Sequence, residues 1–410
     1  MSVRKNGKIW ILFGIILAAV ILTVIPRMGA CQSATAEAKT IKIGTVTNLT
    51  WPLGMGFKKY LDVIVPLFNK EGGMVISGEH YNIDLILYDT KGNAEAGRAA
   101  VERLVNRDKV KFILGDETVD SWLPLTEANK VLVAVQTPSP SIYNPKLKYC
   151  FEGSYLQTSA PSVWGWFSEN YPQMKTVSCA HPDNMIGRGE HNKATKLAEG
   201  FDQKVLDALY YPTETTDFSA IATKIKKSNP NFFTTAGGGT VNDSMLFKAL
   251  YESGWRGRIL SYVGINLRAI AKVISLDMVE GMIGGSSDVF QLESLPPQAK
   301  KVKEAYIAKH GEWDNPTVIY WPQWDVVING LKRAQSLDTD KVAAELANGM
   351  SFESVIGPAK MVARPDFKNN RTVSLLTTIY MLEIVGGKAK PIGTVPLNEG
   401  YRYNKKFYNW

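Results

Sequence analysis

The sequence predicts an α/β protein made of two doubly wound parallel-sheet lobes, preceded by an export leader. Three observations carry that expectation. Strand-like and helix-like patterns alternate from about Thr40 onward. Several strand-like runs are apolar throughout, as Val131–Val135 is, or nearly so, as Val110–Leu114 is but for Lys111, a pattern expected of strands covered on both faces of a parallel sheet. The N-terminal segment carries Arg4, Lys5, Lys8 and Arg27 without an acid, around the apolar run Ile9–Ile25.

That segment has the basic, apolar and small-residue regions of a secretory signal peptide, so the remainder is expected to work outside the cytoplasm. Ile9–Ile25 spans 17 residues, short for a membrane span, and no later segment approaches that length of apolar chain. Three endings are open. Met28-Gly29-Ala30 before Cys31 loosely resembles a lipobox, in which Cys31 would be lipidated. Cleavage within the small-residue tract Ala34–Ala38 is the second, and an uncleaved anchor the third.

The first lobe opens with the strand Thr40–Thr47. Met55–Asn69 then places Phe57, Tyr60, Leu61, Ile64, Val65 and Phe68 at a helical period, and Glu71-Gly72-Gly73 stops it. Tyr81–Tyr88 reads as strand and Asn93–Arg107 as helix, followed by strand Val110–Leu114, helix Val119–Asn129 and strand Val131–Val135. A second run repeats the pattern. It comprises strand Thr176–Ala180, helix Glu190–Leu206, strand Leu209–Tyr211, helix Phe218–Ser228, strand Asn231–Thr235, helix Asn242–Ser253 and strand Arg258–Tyr262. Phe151–Ser159 and Ser286–Pro297 suit connections between the halves. Residues 1–38 are therefore assigned to the leader, 39–155 and 286–365 to lobe 1, and 156–285 and 366–410 to lobe 2. A cleft between such lobes is lined by the C-terminal ends of strands, where open parallel sheets bind ligands.

Composition narrows the function. The net charge of +8 falls to +4 without residues 1–30, and Lys and Arg are scattered, so nucleic-acid binding has little support. Beyond Cys31 only Cys150 and Cys179 remain, either paired in an oxidising compartment or buried as free thiols. His80, His181, His191 and His310 show no metal-ligand spacing, so neither a metal nor another cofactor is expected. Gly237-Gly238-Gly239-Thr240 lacks the lysine of a phosphate loop, and no G-x-S-x-G elbow appears. No enzymatic activity is expected. Trp313, Trp321 and Trp324 are assigned either to first-lobe packing or to an interface.

A series of landmarks then resembles one family. Ile41-Lys42-Ile43-Gly44 is similar to its first strand, and Asn69-Lys70-Glu71-Gly72-Gly73 to its helix stop. Leu85–Asp89, Phe112-Ile113-Leu114-Gly115, and Phe218-Ser219 with Ile225 match in order and spacing. So do Glu252-Ser253-Gly254, Val279-Glu280-Gly281-Met282 and Val355-Ile356-Gly357-Pro358. From about residue 40 to 385 the chain resembles the type I periplasmic solute-binding proteins of ABC importers, in the leucine/isoleucine/valine-binding branch. The resemblance implies a Venus-flytrap fold with three hinge crossings, a small ligand held between the lobes, and docking on a membrane permease.

It also implies where the ligand sits. The loop after Gly115 offers Asp120, Ser121 and Trp122, where relatives carry a serine at the position of Val119. Asp120 and Ser121 open a helix whose N–H groups could bind an anion. After Val131–Val135 stand Thr137 and Ser139, flanking Pro138. In the second lobe, Ile186 takes the place of a tyrosine, and Gly239, Thr240 and Gly264 match contact loops. Relatives pair the ligand ammonium with an acid after the Arg258–Tyr262 strand, whereas Val263-Gly264-Ile265-Asn266 supplies none. Burying an ammonium without a carboxylate costs several kcal/mol, so either Asp120 replaces that acid or the ligand is an aromatic or aliphatic carboxylate resting on Trp51 and Trp122. The functional expectation is an extracytoplasmic solute-binding subunit. The alternatives are a receptor domain anchored by an uncleaved N-terminal helix and an exported hydrolase.

Overall fold

The computed structural model describes residues 38–137, 139–144, 146–155, 160–286, 295–314, 317–364, 369–376 and 379–408. Lys39–Trp410 form one compact unit. Residues 1–37, with the leader pattern, Cys31 and all but the last residue of the tract Ala34–Ala38, lie outside the described residues. Among the described residues, no helix is long and apolar enough to cross a membrane.

Strand β1 (Lys39–Thr47) is buried over its last five residues because it lies inside the first sheet. α1 (Pro52–Lys70) starts where Pro52 takes a first-turn position, and Trp51 before it is extended, the conformation favoured before proline. At the other end of α1, Asn69 exchanges two hydrogen bonds with the Ile83 backbone, at 2.8 and 2.9 Å. Gly73 follows at φ +65°, where a Cβ would meet the Tyr81 carbonyl at 2.1 Å. That is the physical content of the helix stop read in the sequence. Between the stop and β3 (Glu79–Asp89) lies a short antiparallel strand, β2 (Met74–Ile76), that the periodicity did not predict.

α2 (Ala94–Asn106) begins at Asn93, whose side chain accepts from Ala96 N–H at 2.8 Å. β4 (Phe112–Gly115) alternates between two cores, Phe112 and Leu114 facing one and Ile113 the other. The helix predicted over Val119–Asn129 is instead a 3-10 turn, Val119–Ser121, followed by α3 (Leu123–Ala128). Pro124 has no N–H to continue a preceding helix and takes a first-turn position of α3, so the break falls just before it, at Trp122. β5 (Leu132–Val135) and β6 (Cys150–Tyr155) extend the parallel ladder.

The chain enters the second lobe with α4 (Ala160–Asn170) and β7 (Thr176–Pro182). α5 (Met185–Gly200) begins five residues before the predicted start, because Asn184 caps it by accepting from Gly187 N–H. It also ends earlier, since Asp202 turns the chain at φ +59° and β8 (Lys204–Tyr211) takes the residues beyond. α6 (Ser219–Ser228), β9 (Phe232–Thr234), α7 (Gly239–Glu252), β10 (Arg258–Ser261), α8 (Leu267–Ala271) and β11 (Ile283–Ser286) complete this run. α9 (Pro297–His310), α10 (Pro322–Ala334) and α11 (Thr339–Ala347) return to the first lobe with β12 (Ser351–Ser354), β13 (Gly357–Arg364) and β14 (Asn369–Leu376). β15 (Ile379–Val385), β16 (Lys388–Val395) and α12 (Leu397–Tyr408) close the second.

The strand orders are β12-β13-β14-β6-β5-β4-β1-β3-β2 and β16-β15-β11-β10-β9-β7-β8. Two parallel-dominated sheets therefore stand in two lobes, and the chain passes between them three times. The last passage follows β14, which pairs with β13 and with β6, so residues 369–376 belong to the first sheet. The sequence-based boundary after 365 is corrected accordingly.

Each sheet is covered on both faces. The first-lobe core holds Trp313, Trp321 and Trp324, all at least 96% buried, with Trp321 stacked on Tyr60 at 4.1 Å. No exposed aromatic face remains at these three for docking. Cys150 and Cys179 are free buried thiols in different sheets, which resolves the choice left open by the sequence.

The first-lobe core also encloses a titratable group. Asp325 on α10 is 4% exposed, and its nearest stabilising contact is Val355 N–H at 3.4 Å. Burial pushes its carboxyl up to about 8 from an ordinary 3.8. The folded value is raised, so the stability it contributes is present below about pH 4 and lost as pH rises through about 8. Asp325→Asn is expected to raise stability by several kcal/mol near pH 8 and by far less near pH 4, a difference that urea denaturation at the two pH values would measure.

Candidate functional site

The second lobe shapes the cleft. β7 ends in Pro182, whose carbonyl would lie 2.0 Å from any Cβ on Gly187, so α5 starts close against the strand end. That start leaves Ile186 55% exposed, beside Gly237. After β9, Gly237 at φ +87° and Gly239 at φ +73° turn the chain into α7. A Cβ on Gly238 would sit 2.2 Å from the Tyr211 hydroxyl and 2.8 Å from Asp243 Oδ1. The loop can therefore fold over the Asp243 carboxyl only because Gly238 has no side chain. After β10, Gly264 at φ +107° accepts from Ser261 Oγ, and Asn266 caps α8 through Ala269 N–H.

These loops and Trp51 enclose a cavity of about 460 Å³ at the C-terminal ends of β9 and β10. Its size suits a small-molecule ligand. A roomier hollow of about 530 Å³ lies beside Asn231 and Gly257, at the opposite ends of the same strands. Strand C-termini are where open α/β sheets take ligands, so the smaller cavity is the candidate site.

Asp243 is the one charged group on that wall among the described residues. Its nearest support is Thr235 Oγ1 at 3.3 Å, and that hydroxyl lies closer, at 2.7 Å, to the Ala180 carbonyl. Burial pushes its carboxyl up to about 7 from 3.8, and Thr235 offsets little of this. The remaining wall is mostly apolar, including Phe247, Ile270 and Met282. Asp243 escaped the sequence reading because it lies within a helix and not after a strand. The available signal was an acid three residues beyond a Gly-Gly-Gly-Thr turn.

Five of the ten residues assigned from sequence line this cavity: Trp51, Ile186, Gly239, Thr240 and Gly264. Trp51 is 39% exposed and reaches it from the first lobe. Asp120, Ser121, Thr137 and Ser139, on the first lobe, are not among the residues that line it. Asp120 accepts from Ser139 Oγ at 2.8 Å and from Ser141 Oγ, tying the loops after β4 and β5 together. Ser121 Oγ donates to the Thr118 carbonyl, and Thr137 Oγ1 accepts from Ser139 N–H at 3.2 Å. Pro138 lies outside the described residues. The 3-10 turn at Asp120 and Ser121 is too short to offer the anion-binding helix end expected there.

Trp122 is corrected most sharply. It is 1% exposed, packs against Gly115 and Val135, and donates from Nε1 to Thr118 Oγ1 at 3.1 Å. Thr118 in turn donates to the buried Asp116, which also accepts from Thr90. Trp122 thus belongs to the first-lobe core and presents no face to the cleft. Across the lobes, Arg268 on α8 donates to the Trp313 carbonyl.

A family model described as periplasmic binding protein matches residues 40–388. The chain belongs to the periplasmic binding protein family. Family membership implies an extracytoplasmic location, in agreement with the leader pattern. This binding protein is 24% identical over 347 residues to the leucine-, isoleucine-, valine-, threonine- and alanine-binding protein of Pseudomonas aeruginosa, covering 82% of the chain and 90% of that relative. Its fold is similar to that of the branched-chain amino acid transporter substrate-binding protein of Streptococcus pneumoniae in complex with isoleucine. The TM-score is 0.67 at 18% identity, covering 87% of this chain and 99% of that one. It is similar too to a solute-binding protein of an ABC transporter from Rhodopseudomonas palustris in complex with 3,4-dihydroxybenzoic acid, at TM-score 0.66 and 20% identity. Coverage there is 86% and 96%. The similar folds thus include one bound to an amino acid and one to an aromatic acid.

Proposed function

We propose that this binding protein captures a free amino acid with an apolar side chain in the cavity between Trp51 and Asp243, and delivers it to the permease of an ABC uptake system without making or breaking a bond. The observation that carries the reading is the Asp243 carboxyl. It stands on an otherwise uncharged wall with no ion-pair partner among the described residues. An ammonium ligand would neutralise it, whereas a plain aromatic acid would bring a second negative charge into the same enclosure, with no Lys or Arg among the described residues of the wall to answer it. Asp243 thereby fills the role of the acid missing from the loop after β10. Ile186, Val263, Ile270 and Met282 would receive the side chain. The relationship to the Pseudomonas aeruginosa protein supports the same class.

The test is calorimetric titration of the protein, stripped of carried-over ligand, with alanine, valine, leucine, isoleucine, benzoate and 4-hydroxybenzoate. Binding of at least one amino acid, tighter than either aromatic acid by about tenfold or more, is expected. Binding of the aromatic acids alone would overturn the reading and favour an aromatic carboxylate stacked on Trp51.

A further inference from the structure

Three side chains that no step of ligand capture uses converge inside the second lobe. Cys179 and His181 are two apart on β7, which puts both on the same face of the strand. That face packs against α5, where Ala194 and Leu197 join Val177 in one apolar cluster. His191 lies one turn before Ala194 on α5. The Cys179 Sγ and one nitrogen from each imidazole all lie within 4.8 Å of one another.

The polar groups here are poorly explained by packing alone. His181 is fully buried, and neither ring nitrogen has a hydrogen-bond partner. Leaving such a group unpaired in a core is costly, and most buried polar atoms find partners. His191 is half-buried and stacks on Tyr210 with ring centres 4.1 Å apart. One of its nitrogens bonds the Leu209 backbone while Nδ1 has no partner. An imidazole that donates to a carbonyl through one nitrogen holds its lone pair on the other, the usual arrangement of a metal-bound histidine. Cys179 is a free thiol, 2% exposed.

We propose that Cys179, His181 and His191 bind one divalent d-block cation of borderline softness, Zn2+ in the first instance, and that the ion pins α5 against β7. One sulfur and two imidazole nitrogens suit such an ion and not Ca2+ or Mg2+, which take oxygen ligands. With Zn–S of about 2.3 Å and Zn–N of about 2.0 Å, tetrahedral ligands stand about 3.5 Å apart. Binding thus needs a contraction of up to about 1 Å. Three protein ligands leave a fourth position for water. The sequence concealed this site because the ligands come from one strand and a helix, at a spacing unlike that of zinc ribbons or fingers.

The test is equilibrium dialysis of the full chain against Zn2+ with elemental analysis, and titration with Co2+ as a chromophoric probe. One ion per chain is expected, with a thiolate-to-cobalt charge-transfer band that Zn2+ abolishes. Cys179→Ser should remove the band, and His191→Gln should weaken binding by about tenfold or more. Cys150→Ser, in the other lobe, should change neither. Substoichiometric Zn2+ binding, or a band that survives in Cys179→Ser, would overturn the proposal. Should Cys179→Ser fail to fold, unchanged Co2+ affinity in His191→Gln would do so equally.

Discussion

Asp243→Asn is expected to weaken amino-acid binding by on the order of a hundredfold, because removing one member of a desolvated charge pair strands the other. The pH dependence should identify the cause. In the free protein the carboxyl titrates at about 7, and an ammonium ligand needs it ionised. Below about pH 7 each binding event must expel a proton, so affinity should fall by up to tenfold per unit as pH drops. Above pH 7 it should level off. The asparagine variant should lose that slope. Stability without ligand moves the other way: the folded pKa is raised, so the contribution of Asp243 is present below about pH 4 and lost as pH rises through about 7. Calorimetry between pH 5 and 8 would check the first effect and thermal unfolding over the same range the second. A wild-type affinity independent of pH would show that Asp243 does not face the ligand's charge.

The two tryptophans read from the sequence as one pocket should separate cleanly. Trp122→Ala is expected to cost about 3–5 kcal/mol of stability, since it empties a core position and strips Thr118 of a donor. Trp51→Ala removes a ring that is 39% exposed and belongs to none of the described core clusters, so its stability should stay within about 0.5 kcal/mol of wild type. Its ligand affinity should fall by about tenfold, whereas that of Trp122→Ala, measured where it remains folded, should hold. Urea denaturation and calorimetry together decide this. Reduced affinity with unchanged stability in Trp122→Ala would return that ring to the cleft.

The lobes were legible because the signals that specify them are local. Apolar runs such as Val131–Val135, the helical period of α1 and the stop at Asn69 to Gly73 each act within a few residues. The assignments that failed depended on partners distant in the chain. β2 is held by its hairpin with β3, and β14 by β6, more than two hundred residues earlier. Gly187 and Gly189 look like helix breakers, yet Gly187 is where α5 must meet Pro182. Within the site, backbone positions at loop turns (Gly239, Thr240, Gly264) were readable from motif order. Orientation was not: whether Trp51 or Trp122 points at the cleft depends on Pro52 after one and Gly115 beneath the other. Asp120 looked available in the sequence, but Ser139 and Ser141 already occupy it. Asp243 looked like an ordinary helical acid, and only the fold shows it enclosed.

Among the eight described tryptophans, Trp51 is the exposed one, the others being at most 8% exposed. Nature has thereby left a built-in optical probe at the mouth of the cleft. A collisional quencher such as acrylamide would dim Trp51 alone of these, and ligand-driven closure would shield it. With Trp10 and Trp410 changed to phenylalanine, that shielding could be followed in a stopped-flow cell, giving capture and escape rates without any attached dye.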